Sequence, residues 1–213
     1  MINAIIFDAE GVIIDTEIVW DAAQEEFLQR RGIRYDRAAI KHLLSGRSQA
    51  EAIGLLKAKY GIEGDVPALA AERMELVRCR LEQGAEFIPG FREFFARIRP
   101  QYRTAVATAM PADLLVIVDA RLGLSKLFEN RIYTLAAVNQ RSKPNPDIFL
   151  YAAGRLAARP AECLVIEDAP HGVEAARRAG MKCVAITTTY DRSLLANADM
   201  IVDSFTQIDL AKL

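Results

Sequence analysis

The sequence of 213 residues has few of the features that would direct a protein into a membrane or an oxidising compartment. Its three cysteines, Cys79, Cys163 and Cys183, are widely separated and form no C-x-x-C pair, so a disulfide framework is not expected. No apolar stretch reaches the ~18 residues that a membrane-spanning helix needs. The N-terminus also lacks the basic and apolar regions of a signal peptide. We therefore expect a reducing, cytoplasmic location.

The sequence also lacks an excess of charge of either sign. A net charge of −1 gives no reason to expect a nucleic acid or an anionic membrane as a partner. Apolar residues make up 52% of the chain and charged residues 26%, which is typical of a globular protein. The length suffices for one full core with a smaller second domain. We expect a monomer or a weak homodimer.

The most informative stretch is the first predicted strand and the loop that leaves it. The apolar run from Ala4 to Phe7 is typical of a buried strand, and it is followed by Asp8, Glu10 and Gly11. Residues two apart in an extended segment project to the same side, so both acids should point into one space. That space lies at the carboxyl end of the strand, where open α/β sheets bind ligands. By itself, the same pattern would fit a solvated turn.

A helical pattern follows the first strand and is not interrupted by a strand before residue 88. Four helices are predicted, at 17–31, 36–44, 48–59 and 67–83. The apolar stripe of the fourth is predicted to consist of Ala70, Met74, Val77 and Leu81. A strand followed by several helices is not a simple βαβ unit. We therefore predict a helical cap domain at 15–87, inserted into a core domain formed by 1–14 and 88–213.

Strands and helices alternate in the remainder of the chain. Strands are predicted at 103–108, 131–134, 163–168, 182–186 and 200–202, and helices at 90–98, 111–122, 146–156 and 172–179. This alternation indicates a doubly wound, Rossmann-like α/β core with a parallel sheet. The carboxyl ends of its strands all meet at one edge, so residues far apart in sequence converge there.

Polar side chains occur at or just after several of these strand ends. They are Asp8, Glu10, Thr108, Lys143, Glu167 and Asp168. Two carboxylates ~4 Å apart repel by roughly 4 kcal/mol at an effective dielectric constant near 20. A cluster of four therefore needs a cation, and a site made of oxygen ligands suits Mg²⁺. The cluster favours phosphoryl transfer, which depends mainly on positioning and charge neutralisation.

The order of these motifs resembles the haloacid dehalogenase superfamily, in the branch that contains β-phosphoglucomutase and small sugar-phosphate phosphatases. The matching segments are FDAEGV at 7–12, VAT at 106–108, SKPNPDIF at 142–149 and VIED at 165–168, followed by GVEAA at 172–176. A helical insert after the first motif is also a feature of this branch. The resemblance spans essentially the whole chain.

The resemblance implies a nucleophile, an acid/base and a metal site. Asp8 would attack phosphorus and form an aspartyl-phosphate. Asp8, the backbone carbonyl of Glu10 and Asp168 would hold Mg²⁺, with Glu167 as a further ligand or as a supporting partner. The side chain of Glu10 would protonate the leaving alcohol and later deprotonate water.

The resemblance also implies substrate-binding residues. Thr108, Ala109 and Lys143 would bind the transferring phosphoryl group. The cap would close over the substrate and exclude bulk water. Within the cap, Trp20 is a candidate wall of the substrate pocket and Arg47 a candidate contact to the distal part of the substrate. A core tryptophan and a solvated turn are the alternative interpretations of these two residues.

Glu10 departs from the family pattern, which has aspartate at this position. Glutamate has the same acid chemistry but is one methylene longer, and misplacing a catalytic group by about 1 Å can cost on the order of a hundredfold in rate. Glu10 could act in an adjusted loop, act slowly, or mark a chain of reduced activity. We favour the first two because the other motif residues are intact.

We therefore expect an Mg²⁺-dependent phosphatase that acts on a small phosphorylated metabolite, such as a sugar phosphate. A sugar-phosphate mutase is the alternative within this branch, although Trp20 stands where the mutases have histidine. A dehalogenase needs no metal and would not explain Glu167 and Asp168. The alternative from another class of function is a chain that binds a phosphorylated ligand without turning it over.

Overall fold

The chain forms two compact units, which are described separately. The computed structural model describes residues 1–44 and 49–213. The core unit consists of Met1–Thr16 and Glu86–Leu213, and the helical unit consists of Glu17–Ala85. No helix in these described ranges is both long enough and apolar enough to cross a membrane.

Four helices make up the described part of the helical unit. They are α1 (Glu17–Gln29), α2 (Arg37–Leu44), α3 (Gln49–Tyr60) and α4 (Val66–Gln83). Asp65 begins α4 as its N-cap, because its carboxylate accepts a hydrogen bond of 3.3 Å from the backbone N–H of Ala68. The predicted start of the third helix at residue 48 lies outside the described residues.

The predicted apolar stripe of α4 is wrong in its first half. Ala70 and Met74 are only half-buried, whereas Leu69 and Leu76 are buried together with Arg73. The Arg73 guanidinium donates to the side chain of Gln24 on α1, 2.8 Å away, and to the side chain of Gln49 on α3. A charged side chain at a buried position interrupts the apolar periodicity, which explains why the pattern shifted by one residue.

The core unit is built on a six-stranded parallel sheet. Its strands are β1 (Ala4–Phe7), β2 (Arg103–Thr108), β3 (Ile132–Thr134), β4 (Cys163–Glu167), β5 (Lys182–Ile186) and β6 (Met200–Val202). They lie in the order β3-β2-β1-β4-β5-β6. Each pair of neighbours is parallel, which confirms the predicted doubly wound α/β core. The strand order reverses direction beside β1, so the crevice at the carboxyl ends of β1 and β4 is the expected ligand site.

Helices connect the strands of the core unit. They are α5 (Phe91–Ile98), α6 (Ala112–Leu122), α7 (Leu124–Leu127), α8 (Asp147–Arg155) and α9 (Pro170–Arg178). Helix α7 was not predicted because its four residues are too few to show a helical period. Helix α9 begins at Pro170 instead of at residue 172, since proline suits the first turn of a helix. This earlier start brings Gly172 into the first turn of α9.

The two chain segments at the boundary of the core unit pair with each other. Ile14 and Phe87 form an antiparallel bridge. On either side of the bridge, Asp15 N donates to Glu86 O at 3.0 Å and Ile88 N donates to Ile13 O at 2.9 Å. The chain therefore leaves the core unit and returns to it at adjacent points, as an insertion requires.

A cluster of phenylalanines supports the end of β1 that precedes Asp8. Phe7 packs edge-to-face against Phe91, Phe94, Phe95 and Phe128, with ring centroids 5.7 to 6.4 Å apart. Such aromatic pairs contribute beyond the area that they bury. The cluster holds β1 against α5 and against the residue that follows α7.

We predict that Phe128→Ala destabilises the protein by about 3–5 kcal/mol, because it removes a fully buried ring from this cluster and leaves a cavity. Denaturant unfolding measures this loss. Phe128→Leu, which keeps most of the apolar volume, should cost clearly less. Equal losses for the two variants would show that filling of the cavity does not determine the stability here.

Candidate active site

The site begins where β1 and β4 end side by side. Phe7 is in register with Ile166, and Asp8 N donates to Ile166 O at 3.0 Å. Because the strands are parallel neighbours, the residue after β1 lies beside the last residue of β4, which is Glu167. Two carboxylates from opposite halves of the chain are therefore brought together by strand pairing alone.

Lys143 lies between these two carboxylates. Its ammonium contacts Asp8 Oδ1 and lies 2.6 Å from Glu167 Oε1. All three side chains are buried, and the Lys143 Nζ atom also lies 4.9 Å from the centroid of the Phe149 ring on α8. The segment before α8 thus delivers a positive charge to the point where β1 and β4 place two negative charges.

The second oxygen of Glu167 is held by the backbone before α9. Glu167 Oε2 accepts hydrogen bonds from the N–H groups of Asp168 and Ala169, at 2.9 and 3.0 Å. Gly172 provides the space for this carboxylate, because a Cβ atom at that position would lie 1.8 Å from Glu167 Oε1. Both oxygens of Glu167 are therefore occupied by hydrogen bonds and by the ion pair with Lys143.

Asp168 is buried against the turn that follows β1. A Cβ atom on Gly11 would lie 2.0 Å from Asp168 Oδ2 and 2.6 Å from Thr189 Oγ1. The Thr189 side chain is also hydrogen-bonded to Asp168. The carboxylate of Asp168 thus lies where three loops meet, after β1, β4 and β5.

Burial and the charges of neighbouring groups act in opposite directions on several pKa values of the site. Burial raises the pKa of the Asp8 carboxyl to about 7, although the Lys143 ammonium opposes the shift. Burial, reinforced by the charges of Glu167 and Asp8, raises the pKa of Asp168 well above its usual value. Glu167 is different: burial disfavours its charged form, but the Lys143 ammonium, His171 and the backbone N–H of Ala169 together outweigh burial and lower its pKa. Burial also disfavours the charged form of Lys143, but Asp8 and Glu167 outweigh it and raise the Lys143 pKa.

The remaining candidate residues of the core unit lie at the same sheet edge but differ in exposure. Glu10 is half-buried, and its charge contributes to the raised pKa of Asp8. Thr108, at the end of β2, is fully buried, and its hydroxyl oxygen accepts a hydrogen bond of 3.0 Å from the backbone N–H of Met110. Ala109 is exposed in the same loop. The hydroxyl of Thr108 therefore supports the loop on which Ala109 lies.

Of the two candidate residues in the helical unit, the structure describes Trp20 but not Arg47. Trp20, on α1, is half-buried, and the guanidinium of Arg73 lies 4.9 Å from the centroid of its ring. Its surroundings within the helical unit thus include a buried cation. Arg47 lies outside the described residues.

The carboxylates of the site are the kind of oxygen ligand that a hard cation prefers, but in the described residues they are not arranged as a complete set of metal ligands. Within residues 1–44 and 49–213, no group of three His, Cys, Asp or Glu side chains is arranged as metal ligands. Asp168 is held by the hydroxyl of Thr189, and no ion pair involving its carboxylate is found in the described ranges. A buried carboxylate that has no salt bridge among the described residues and is repelled by Asp8 and Glu167 fits an oxygen-ligated divalent ion.

Sequence reasoning missed three residues that shape the site. Gly172 was noticed only as part of a motif, because its contact with Glu167 depends on where α9 begins. Thr188 and Thr189 were not noticed at all. The signal was available, since three threonines directly follow β5 and the ends of all the parallel strands share one edge.

The sheet, the acids at its edge and the buried lysine define a class of phosphoryl-transferring α/β enzymes. A family model described as haloacid dehalogenase-like hydrolase matches residues 2–180, and the chain belongs to this family. The family resemblance predicted from the sequence is therefore confirmed.

Relatives narrow the class of enzyme. Validoxylamine A 7′-phosphate phosphatase from Streptomyces hygroscopicus subsp. limoneus is 30% identical over 98% of this chain and 96% of its own length. Fructose-1-phosphate phosphatase YqaB from Escherichia coli K12 is 34% identical over 85% of this chain and 95% of its own length. The crystal structure of a putative β-phosphoglucomutase from Thermotoga maritima has a TM-score of 0.78 and 25% identity, covering 94% of each chain. The predicted branch is confirmed, and the chain is a phosphoric monoester hydrolase.

We predict that Gly172→Ala destabilises the protein by about 1–3 kcal/mol, because a methyl group there would displace the Glu167 carboxylate from Lys143. Thermal or denaturant unfolding measures the change. Gly154→Ala is the matched control, because Gly154 lies on α8 and a Cβ atom there meets nothing within 4 Å. This control should be neutral or stabilising by up to about 1 kcal/mol. Similar losses for both variants would contradict the specific role of Gly172.

Proposed function

We propose that the chain is an Mg²⁺-dependent phosphatase that hydrolyses a small phosphorylated metabolite, a sugar phosphate or a similar phosphomonoester. The observation that supports this most strongly is the buried Lys143 ammonium, which contacts Asp8 and Glu167 at the carboxyl ends of two neighbouring strands. This arrangement sets a nucleophilic carboxylate beside a positive charge that can also attract a phosphoryl group.

Asp8 is the proposed nucleophile. A carboxylate oxygen of Asp8 attacks phosphorus, and the bond from phosphorus to the substrate's ester oxygen breaks. The product of this step is an aspartyl-phosphate and an alcohol. Strand β1 and the phenylalanine cluster around Phe7 keep Asp8 in a fixed position during transfer of the phosphoryl group.

Glu10 is the proposed acid and base. As the ester bond breaks, the protonated carboxyl of Glu10 gives its proton to the departing oxygen, which leaves as a neutral alcohol. The resulting Glu10 carboxylate then takes a proton from water. The water oxygen attacks phosphorus, the bond to Asp8 breaks, and phosphate leaves with Asp8 and Glu10 restored.

Residues around Asp8 would bind the phosphoryl group and the metal. Lys143, Thr108 and the backbone beside Ala109 are the proposed phosphoryl contacts. Asp8, Asp168 and the carbonyl of residue 10 are the proposed Mg²⁺ ligands, which suits the excess of buried carboxylates over ammonium groups. When bound, the ion supplies positive charge that offsets the negative charge of the phosphoryl group. Of the two roles considered for Glu167, its two occupied oxygens favour the supporting one, in which it orients Lys143.

The helical unit is proposed to be the cap that selects the substrate. We propose domain limits of 15–87 for the cap and of 1–14 with 88–213 for the core. Trp20 and Arg47 are the proposed cap contacts to the substrate. The two relatives are named as phosphatases of validoxylamine A 7′-phosphate and of fructose-1-phosphate, which supports a phosphorylated small molecule as the substrate. All three cysteines are free in the structure, which supports the proposed cytoplasmic location. We also propose that the protein is a monomer or a weak homodimer.

The likeness to a putative β-phosphoglucomutase favours one alternative, a sugar-phosphate mutase. A mutase would convert one sugar phosphate into its isomer with little release of phosphate. A third possibility, a chain that only binds a phosphorylated ligand, would show saturable binding without turnover. Measuring released phosphate together with the sugar phosphates that remain distinguishes these alternatives from a phosphatase. A mutase would give an isomeric sugar phosphate with little free phosphate, and a binding protein would leave the substrate unchanged.

We predict that the wild-type protein releases phosphate from one or more small phosphomonoesters in the presence of Mg²⁺, and that Asp8→Asn abolishes this release. An amide oxygen is too weak a nucleophile to form the acyl-phosphate. The measurement is a phosphate-release screen over sugar phosphates, glycolate phosphate and nucleotides, with Mg²⁺ or with chelator.

Asp65→Asn is the matched control for this substitution. Asparagine is an equally good N-cap, so α4 and the activity should be unaffected. Release that persists in Asp8→Asn, or that is unchanged by chelator, would reject the mechanism. Lys143 keeps its ion pair with Glu167 in Asp8→Asn, so we expect this variant to fold, and thermal unfolding separates loss of the nucleophile from loss of structure.

We also predict that Glu10→Asp raises the turnover number, because the shorter side chain matches the aspartate of the family pattern. Glu10→Gln, which has no acidic proton, should lower turnover by about 10²–10⁴-fold. Steady-state kinetics with the best substrate of the screen gives both values. A large fall in Glu10→Asp would mean instead that the loop is adapted to glutamate.

A further inference from the structure

We propose that Thr188 is a positioning residue that fixes the turn carrying Glu10. This inference rests on the proposed role of Glu10 as the acid that protonates the leaving alcohol. Thr188 follows β5, and its hydroxyl donates a hydrogen bond to the backbone carbonyl oxygen of Gly11. It thus connects the loop after β5 to the residue directly beyond Glu10.

The turn from residue 9 to residue 14 is closed by its own backbone. Ala9 O accepts hydrogen bonds from the N–H groups of Ile13 and Ile14, both at 2.9 Å, and Gly11 N donates to Ile14 O at 2.9 Å. These bonds define the shape of the turn. They do not define its position relative to the loops after β4 and β5, whereas the hydrogen bond from Thr188 does.

The turn approaches the loops after β4 and β5 closely at Gly11. Gly11 has a φ of +70°, and a Cβ atom there would lie 2.0 Å from Asp168 Oδ2 and 2.6 Å from Thr189 Oγ1. Gly11 therefore packs directly against the acid proposed to bind metal. A shift of the turn would move Glu10 relative to Asp8, and displacement of a catalytic group by about 1 Å can cost on the order of a hundredfold in rate.

The long side chain of Glu10 makes the hydrogen bond from Thr188 more important. Glutamate has one more rotatable bond than the aspartate of the family pattern, so its carboxyl depends more on the placement of its backbone. Glu10 is half-buried. A fixed backbone reduces the range of positions that the longer side chain can reach.

The chemistry of the leaving group separates positioning of Glu10 from general damage. In an alkyl phosphate, the departing oxygen needs the proton of Glu10 when its bond to phosphorus breaks. In p-nitrophenyl phosphate, the departing phenolate is stable without a proton. The value of kcat/KM covers only the steps up to this departure, so later hydrolysis of the aspartyl-phosphate does not affect the comparison.

The test is Thr188→Val, which keeps the shape of the side chain and removes the hydroxyl. We expect kcat/KM to fall by about tenfold or more with an alkyl phosphate, and by less than about threefold with p-nitrophenyl phosphate. Thr188→Ser should restore the alkyl phosphate value. Glu10→Gln should show the same dependence on the leaving group, and combining it with Thr188→Val should add little further loss.

Thr187→Val is the matched control. Thr187 is also half-buried, but its hydroxyl is bonded to Asp203 Oδ1 at 2.8 Å and not to the turn. Its kcat/KM should be unchanged with both substrates. If Thr188→Val does not fold, as judged by thermal unfolding, Thr188→Ala is measured with the same pair of substrates.

Three results would overturn the inference. They are equal falls with the two substrates, no fall with either, and full additivity with Glu10→Gln. In each case the wild type would still release phosphate and Asp8→Asn would not, so the proposed function would stand. A wild type that releases no phosphate from either substrate would instead reject the proposed function, and this inference would fall with it.

Discussion

The buried contact of Lys143 with Asp8 and Glu167 is the interaction on which the rest of the site depends. Burying a charge is unfavourable unless it is paired, and removing one partner of a buried pair leaves an uncompensated charge behind. The three side chains come from three different segments: Asp8 follows β1, whereas Lys143 before α8 is 135 residues further along the chain and Glu167 at the end of β4 another 24. Assembly of the site therefore requires that the segments of the core unit are already packed against one another. The phenylalanines behind Phe7 and the parallel pairing of β1 with β4 place two carboxylates side by side, and the lysine makes that placement tolerable.

Two glycines show how closely the loops approach around this contact. Gly172 leaves the volume that the Glu167 carboxylate fills, and Gly11 leaves the volume beside Asp168. In both cases a single methyl group would occupy the position of a carboxylate oxygen. The two glycines therefore leave room for the buried carboxylates of Glu167 and Asp168. Buried carboxylates grouped around the Lys143 ammonium are suited to a phosphoryl group accompanied by a divalent ion.

Much of the fold could be predicted from the sequence because it depends on local periodicity and on general rules of chain topology. The strands β2, β5 and β6 occupy the predicted residues, and parallel order follows from the alternation of strands and helices. The convergence of Asp8, Lys143 and Glu167 follows from the same rule. What could not be predicted depends on distances between loops. The hydrogen bond from Thr188 to Gly11, the clash that any side chain at 172 would cause, and the burial of Arg73 between Gln24 and Gln49 are set by tertiary packing, which leaves no periodic signal in the chain.

The departure at residue 10 is best understood through the same geometry. The turn that carries Glu10 is closed by its own hydrogen bonds, pressed against Asp168 through Gly11, and tied to the loop after β5 by Thr188. A catalytic side chain can gain accuracy either from being short or from being attached to a rigid backbone. Aspartate is accurate because its side chain is short, whereas the longer glutamate has to gain more of its accuracy from a rigid backbone. If Glu10 is the acid, as we propose, then its placement depends in part on the loop after β5, through a residue that lies outside the family motifs.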